Sequence, residues 1–130
     1  MDAKRLDTHF IHLGLGATAE AQPAFSGLDW YAAYGQRTHS DGAEGRLVSL
    51  YTFSAPWDAW EMHPQGDEVV VCTAGEITLI QEIDGAETRI HLKAGDFAIN
   101  PRGVWHTADV EAEATALFIT AGIGTEHRPR

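Results

Sequence analysis

The sequence predicts a small all-β domain, either a closed barrel or a double-sheet jelly roll. From Arg46 onward, short β-rich runs alternate at short intervals with turns that contain glycine, proline or aspartate. That part of the chain shows no sustained helical periodicity. A chain of 130 residues corresponds to one domain and buries roughly two-thirds of its unfolded surface, so it needs neither disulfides nor a metal merely to fold.

Residues 1–45 form an N-terminal extension that is richer in alanine, glycine and polar residues than the rest of the chain. A short helix is predicted over 28–36, with an acidic residue near its start and a glycine near its end. Aromatic residues of the extension cluster at Phe25, Trp30, Tyr31 and Tyr34. We expect them to pack on the main body or on a partner subunit. The alternative is that Tyr31 or Tyr34 caps the mouth of a pocket.

About eight short strands are predicted within residues 46–123, the barrel region. They cover 47–54, 59–63, 68–73, 76–83, 87–92, 96–100, 105–110 and 115–121. Asp84 and Gly85 predict a two-residue hairpin, because glycine tolerates the positive φ of a type I′ turn. Gly75 is predicted to end the third strand. Residues 124–130 are expected to be a C-terminal tail, either mobile or docked on a neighbour.

The composition disfavours two classes of partner. A formal net charge of −10, with no stripe of lysine and arginine, disfavours nucleic acid and anionic membrane surfaces. No run of ~20 apolar residues predicts a membrane span, and no apolar segment near the N-terminus predicts a signal peptide. The single cysteine, Cys72, forms no internal disulfide and is expected to be buried, which favours a cytoplasmic protein.

Four side chains with metal-ligand chemistry are predicted to converge. Glu61 and His63 share one face of a strand, because residues two apart on a strand point the same way. The turn at 64–67 reverses the chain and brings Glu68 beside His63, while His106 points inward from a later strand. Imidazole and carboxylate together suit Zn, Fe, Mn or Ni.

These segments resemble the two motifs of the cupin superfamily. Its first motif runs Gly, five residues, His-x-His, three or four residues, Glu, six residues, Gly, and the matching residues here are His63, Glu68 and Gly75. Its second motif runs Gly, five residues, Pro-x-Gly, two residues, His, three residues, Asn, and the matching residues here are Gly95, Pro101, Gly103 and His106. The resemblance covers about residues 47–121 and implies a cupin jelly-roll barrel, with His63, Glu68 and His106 as ligands of one divalent metal ion per chain.

The chain departs from the family pattern at three positions. Glu61 stands where the first histidine of the first motif is expected, Ala55 replaces the upstream glycine, and Val110 replaces the closing asparagine. Glu61 is therefore a fourth ligand or an acid/base group beside the site. A third alternative is that the site has lost its metal. Two carboxylates close together in an apolar interior repel unless a proton or a cation neutralises the pair, which favours a bound metal over a purely structural polar cluster.

The resemblance implies an enzyme acting on a small organic molecule, such as a dioxygenase, an isomerase or a decarboxylase. The alternatives are a non-catalytic module that binds or senses a small ligand, and a metal-free cupin. Candidate substrate-pocket residues are Tyr51 and Phe53, which share a face, and Arg102, whose guanidinium suits a carboxylate. Tyr51 and Phe53 are equally plausible as core, and Arg102 as the partner of a surface acid. Cupins often dimerise, so we expect a homodimer.

Overall fold

A computed structural model describes all 130 residues and shows two antiparallel sheets that share one long strand. The sheets do not close into one continuous barrel, so the jelly-roll prediction is confirmed and the closed barrel is not formed. The strands are β1 Ile11–Gly14, β2 Thr18–Ala21, β3 Arg46–Phe53, β4 Ala59–Met62, β5 Glu68–Ile83, β6 Ala86–Lys93, β7 Phe97–Asn100, β8 Trp105–Asp109, β9 Ala114–Thr120 and β10 Glu126–Pro129. The helix α1 spans Leu28–Thr38, and two 3₁₀ segments span Leu15–Ala17 and His39–Glu44. No helix has the length and apolar character needed to cross a membrane.

The shared strand β5 belongs to both sheets. Its first half lies between β7 and β9, and the first sheet continues from β9 through β3 and β1 to β2. Its second half lies between β6 and β8, and the second sheet continues from β8 through β4 to β10. The buried core between the sheets comprises Val70, Cys72, Ile77, Leu79, Leu92, Ala98, Ala108, Val110, Ala114, Ala116 and Phe118.

The prediction that Gly75 ends a strand is wrong, because Gly75 lies inside β5, which is 16 residues long. The register with β9 shifts between Cys72 and Ala74, and Gly75 has a φ of +69°. A Cβ atom at Gly75 would overlap the backbone carbonyl oxygen of Glu113. The glycine therefore lets the strand bend from one sheet into the other while remaining hydrogen bonded.

The hairpin predicted at Asp84 and Gly85 is present. Both residues have positive φ, 53° and 78°, which is the signature of a type I′ turn. The turn returns the chain as β6, whose inward residues Ile90 and Leu92 face the core while its outward residues are charged or histidine. This alternation is typical of a sheet with one solvated face.

The N-terminal extension packs on the chain's own first sheet. Residues that the sequence did not assign to strands form the β1–β2 hairpin, which adds two strands to that sheet beside β3. The helix α1 extends to Thr38, and its Trp30 packs with Phe10 and Leu47 in a second small core. Aromatic packing thus holds the extension against the jelly roll, and it brings Tyr31 into contact with the hydroxyl of Tyr51.

The C-terminal segment, for which the sequence predicted no strand, forms one. Its strand β10 pairs antiparallel with β4. The guanidinium of Arg128 lies 5.2 Å from the ring centroid of Trp60 and 4.6 Å from that of Trp105. A segment reading Glu-His-Arg-Pro has little β propensity, so the strand depends on these tertiary contacts, which the local sequence does not reveal.

Candidate metal centre

Four predicted side chains meet where the second sheet, which carries Glu61 and His106, faces Glu68 at the start of β5 in the first sheet. Glu61 on β4 and His106 on β8 are direct cross-strand partners. His63 follows β4 immediately, and Glu68 is the first residue of β5. The Nε2 atom of His63 lies 3.1 Å from Glu68 Oε2, and the Nε2 atom of His106 lies 3.3 Å from Glu68 Oε1. The convergence predicted from strand alternation is therefore present.

The hydrogen bonds of the two imidazoles define which nitrogen carries the proton. Thr125 Oγ1 donates its only proton to the carbonyl of Gly122 at 2.8 Å, so it accepts a hydrogen bond from Nδ1–H of His63 at 2.8 Å. The Nδ1–H of His106 likewise donates to the carbonyl oxygen of Val104 at 3.3 Å. Each neutral ring consequently presents the lone pair of Nε2 to the centre of the site, as a metal-ligating histidine does.

Both Nε2 atoms are buried and form no hydrogen bond. His63 is 5% exposed and His106 is fully buried. Buried polar atoms without a partner are rare in folded proteins, because each loses its hydration without compensation. Two such atoms that face the same carboxylate are a donor set suited to a cation.

Glu68 is held by a buried polar network. Its Oε1 accepts a hydrogen bond from Asn100 Nδ2 at 3.1 Å, and its Oε2 accepts one from Thr120 Oγ1 at 2.6 Å. The side-chain oxygen of Asn100 in turn accepts a hydrogen bond from Gln81 Nε2 at 2.9 Å. These contacts orient both carboxylate oxygens, which keep lone pairs directed at the imidazoles.

The electrostatics of the site favour an ionised Glu68. Burial by itself raises the pKa of the Glu68 carboxyl, but His106 and His63 more than offset it and hold that pKa well below its usual range. Burial by itself lowers the pKa of His63, but Glu68 and then Glu61 raise it above its ordinary value. The buried carboxylate thus requires a positive neighbour, supplied either by a proton on His63 or by a cation.

Glu61 occupies the solvent side of the site. Its Oε2 lies 3.9 Å from the Nε2 atoms of both His63 and His106. Its Oε1 accepts a hydrogen bond from His127 Nε2 at 3.2 Å. Ligand atoms of Glu61, His63 and His106 all lie within 4.8 Å of one another, while Glu68 is nearer to both imidazoles. Either carboxylate therefore completes a set of two histidines and one carboxylate.

Aromatic side chains form the wall next to this cluster. The ring of Trp57 lies 6.4 Å from that of His106, and its buried Nε1–H has no hydrogen-bond partner. Burial, with the charges of Glu61 and Glu68, raises the pKa of Tyr31 to about 12. Tyr31, the alternative considered for a pocket mouth, contacts the hydroxyl of Tyr51, whose ring lies 6.1 Å from that of Phe118. Trp57 carried no motif that identified it in the sequence.

Of the other candidate pocket residues, Tyr51 and Phe53 continue the aromatic wall at Trp57, whereas Arg102 does not. Tyr51 and Phe53 pack against the core between the sheets, with their rings 6.0 Å apart. Arg102 lies outside the cluster, and its exposed Nε donates a hydrogen bond to the carbonyl oxygen of Pro64 at 2.7 Å. Its backbone N–H donates to Asp67, so Arg102 ties two loops together.

Several residues that complete the site were not predicted from the sequence. They are Trp57, Gln81, Asn100, Thr120, Thr125 and His127. For Asn100 a signal existed, because a polar side chain at an inward position of a strand implies a buried partner. Thr125 and His127 carried none, since their positions depend on the pairing of β10 with β4.

The comparisons with known proteins agree with the fold. A family model described as "Cupin domain" matches residues 53–122. A cupin-2 domain containing protein from Shewanella frigidimarina NCIMB 400 is 24% identical, with 65% of this chain and 71% of that chain covered and a TM-score of 0.50. A comparison with curated protein sequences found no significant match.

Two solved enzymes share the fold at lower identity. An oxalate oxidase in complex with the substrate analogue glycolate is 16% identical, with 62% of this chain and 45% of that chain covered and a TM-score of 0.54. A hydroquinone 1,2-dioxygenase in complex with Cd²⁺ and 4-hydroxybenzonitrile is 16% identical, with 58% and 56% covered and a TM-score of 0.52. This chain therefore spans less than half of the oxalate oxidase and little more than half of the dioxygenase.

Proposed function

We propose that this chain, which belongs to the cupin domain family, binds one divalent metal ion and acts on a small organic molecule. The metal ligands would be drawn from Glu61, His63, Glu68 and His106. The small molecule would lie between the two sheets, next to the aromatic wall.

The observation that carries this proposal is the pair of buried Nε2 atoms without a hydrogen bond. In both rings Nδ1–H is committed to an oxygen that accepts it, which leaves Nε2 as an acceptor. Both acceptors face the oxygens of Glu68, which are acceptors too. Acceptors facing acceptors in a buried site repel, and a cation among them turns that repulsion into attraction.

The donor set suits Zn, Fe, Mn or Ni, and two histidines with one carboxylate are typical of non-haem iron oxygenases. A bound metal would supply activation of dioxygen or polarisation of a carbonyl or enol oxygen. We therefore favour a dioxygenase, with an isomerase or a decarboxylase as other outcomes of the same site. The glycolate complex of the oxalate oxidase and the nitrile complex of the hydroquinone dioxygenase support a small ligand.

The residues of this chain would bind and orient that ligand. The rings of Phe53, Trp57 and Phe118 exclude water and offer flat apolar contact. The unpartnered Nε1–H of Trp57 is available to donate to an oxygen of the ligand. The hydroxyls of Tyr31 and Tyr51, which contact each other, would provide a second polar position beside the aromatic wall.

Metal analysis tests the proposal directly. Protein purified without added metal, and protein reconstituted with each candidate ion, should carry about one ion per chain. The variant His106→Ala should lose it, whereas His91→Ala should not, because His91 is exposed on β6 and pairs with Glu76. Wild-type protein that stays metal-free after reconstitution would exclude the metal-dependent function.

A second candidate is favoured by one specific observation. The Nε2 atom of His63 lies 3.1 Å from Glu68 Oε2, and the raised pKa of His63 beside the lowered pKa of Glu68 favours an ion pair between them without metal. A metal-free cupin that only binds a small ligand would show this pair, no stoichiometric metal, and a saturable ligand-induced shift without turnover. The same metal analysis separates the two candidates.

We also propose that the protein is a homodimer, in which two copies pack through the outer face of the first sheet. That face carries two cross-strand rows of apolar side chains. They are Ile11, Val48, Ile119, Val69 and Ile99 in one row and Leu50, Leu117, Val71 and Phe97 in the next. Phe97 is 64% exposed and Ile99 is 47% exposed. Strands that are apolar on both faces are typical of sheets that are covered on both sides.

The size and surroundings of this outer face favour a second copy. Five strands ~4.8 Å apart, bearing two rows of side chains, give a flat apolar area of roughly 300 Å². A stable interface buries about 800 Å² on each partner, usually as an apolar centre with a polar rim. Thr52, Thr73 and Thr115 border the apolar rows on one side, and Arg46 lies beyond their other side. Because the rows carry no charge, they offer nothing to a charged partner.

Sedimentation of the wild type and two variants tests the dimer. Wild-type protein should sediment as a dimer and Phe97→Glu as a monomer. The control Ile83→Glu places the same charge on an exposed apolar residue at the end of β5 in the second sheet, and should leave the dimer intact. A monomeric wild type, or equal behaviour of the two variants, would contradict this interface.

A further inference from the structure

We propose that strand β10 and the turn before it are part of the metal centre, with Thr125 and His127 as positioning residues for His63 and Glu61. The inference rests on the proposed metal-binding function, which it extends to a segment outside the matched family region of 53–122. Neither residue touches the centre of the site. Each acts through the ligand that it contacts.

Thr125 acts on the orientation of His63. The backbone N–H and the hydroxyl of Thr125 both donate to the carbonyl of Gly122, which closes a turn. The Thr125 oxygen is thereby fixed at 2.8 Å from Nδ1 of His63, with only its acceptor lone pairs free. This contact keeps the proton on Nδ1, holds the plane of the ring, and leaves Nε2 directed into the site.

His127 acts on the orientation of Glu61. The two residues are cross-strand partners in the β10–β4 pair, so their side chains lie side by side. The 3.2 Å contact from His127 Nε2 to Oε1 is the only hydrogen bond that the Glu61 carboxylate receives. It turns the other oxygen, Oε2, toward His63 and His106. Without His127, a carboxylate that is one-third exposed would be free to turn to water.

The strand is held in place by contacts that do not involve the ligands. Arg128 lies over the rings of Trp60 and Trp105 and pairs with Glu82. The guanidinium of Arg130 donates to the carbonyl oxygens of Trp57 and Ala108. These anchors keep β10 docked when Thr125 or His127 is replaced, so the two effects are separable by experiment.

The test is the affinity for Zn²⁺, measured by competition with a chromophoric chelator on metal-free protein. Thr125→Val and His127→Ala should each raise the dissociation constant by about 10- to 100-fold, the usual effect of losing a residue that orients a metal ligand. Thr125→Ser and His127→Gln keep the hydroxyl and the N–H donor, and should restore most of the affinity. The matched control is Glu126→Gln on the other face of β10, which should bind like the wild type.

The outcomes separate this inference from the function on which it rests. A wild type that does not bind Zn²⁺ would contradict the metal site itself. A wild type that binds, with Thr125→Val and His127→Ala within twofold of it, would overturn only the role of β10. Failure of Thr125→Ser and His127→Gln to restore the affinity would overturn it as well. Melting curves of the metal-free variants test whether they fold. If His127→Ala does not fold, Thr125→Val, which keeps the shape of the side chain, provides the test.

Discussion

Protons and metal should compete for His63, and this competition predicts how affinity depends on pH. Glu68 and Glu61 raise the pKa of His63 above its ordinary 6.5 despite burial, so the metal-free protein holds a proton there at higher pH than a free imidazole does. A metal must displace that proton to reach Nε2. Below the pKa of His63, the dissociation constant for Zn²⁺ should therefore rise about tenfold per pH unit, or ~1.4 kcal/mol, for the one proton displaced.

As the pH rises above about 6.5, the free energy of unfolding should fall in the metal-free protein, unlike in the metal-bound protein. In the metal-free protein, the contribution of His63 is present below pH 6.5 and is lost as the pH rises through its higher folded pKa. The contribution of Glu68 is present above pH 4.5 and is lost only as the pH falls toward its lowered folded pKa. Metal-free protein should thus be most stable between about pH 4.5 and 6.5, whereas metal-bound protein should gain stability as the pH rises.

Two measurements check this reasoning. Chelator competition across pH 5 to 8 should show the loss of Zn²⁺ affinity beginning above pH 6.5, and NMR titration of metal-free protein should place the His63 midpoint above 6.5. In Glu68→Gln the midpoint should fall, because burial then acts without its main opposing charge. A wild-type midpoint at or below 6.5, or a midpoint that Glu68→Gln does not move, would refute the reasoning.

Three further substitutions have expected outcomes. Trp57→Phe should leave the melting temperature almost unchanged but weaken the binding of a small oxygen-bearing aromatic ligand several-fold in calorimetry, because the N–H donor is lost. Unchanged affinity would contradict a role for the Trp57 N–H. Gly75→Ala should lower the free energy of unfolding by about 2–4 kcal/mol, because the strain of a positive φ adds to the overlap with Glu113. The control Gly85→Ala has open space around it and should lower it by only about 1 kcal/mol, as denaturant unfolding would show. Equal losses would contradict the role of the bend. Leu79→Ala in the core should cost about 2–5 kcal/mol while leaving Zn²⁺ stoichiometry unchanged, and metal loss in a folded variant would contradict that separation.

The convergence of the four central residues was predictable because it depends on local rules. Alternation along β4 puts Glu61 and His63 on one face, and the tight turn at 64–67 brings Glu68 beside them. His106 required the register of β8 with β4, which no local pattern specifies, and the resemblance of the second motif supplied it. Sequence and structure therefore agree where the geometry is local or where the family pattern carries it.

The remaining parts of the site depend on contacts between distant segments. Thr125 and His127 reach the cluster only because Arg128 docks β10 on two tryptophans, and nothing in the local sequence predicts that docking. Tyr31 reaches Tyr51 because the aromatic residues of the extension pack on the first sheet. The bend at Gly75 was mistaken for a strand end, since glycine marks both.

The position of β5 in both sheets predicts which amide hydrogens of the molecule exchange last. Over its first half it is bonded to β7 and β9, and over its second half to β6 and β8, so its amides have neighbours on both sides. Such a strand is expected to exchange its amide hydrogens last, and only through global unfolding. Glu68 begins that strand, whereas His127 and Tyr31 belong to peripheral segments that open at lower free-energy cost. Amide hydrogens around Glu68 are therefore expected to exchange more slowly than those around His127 and Tyr31.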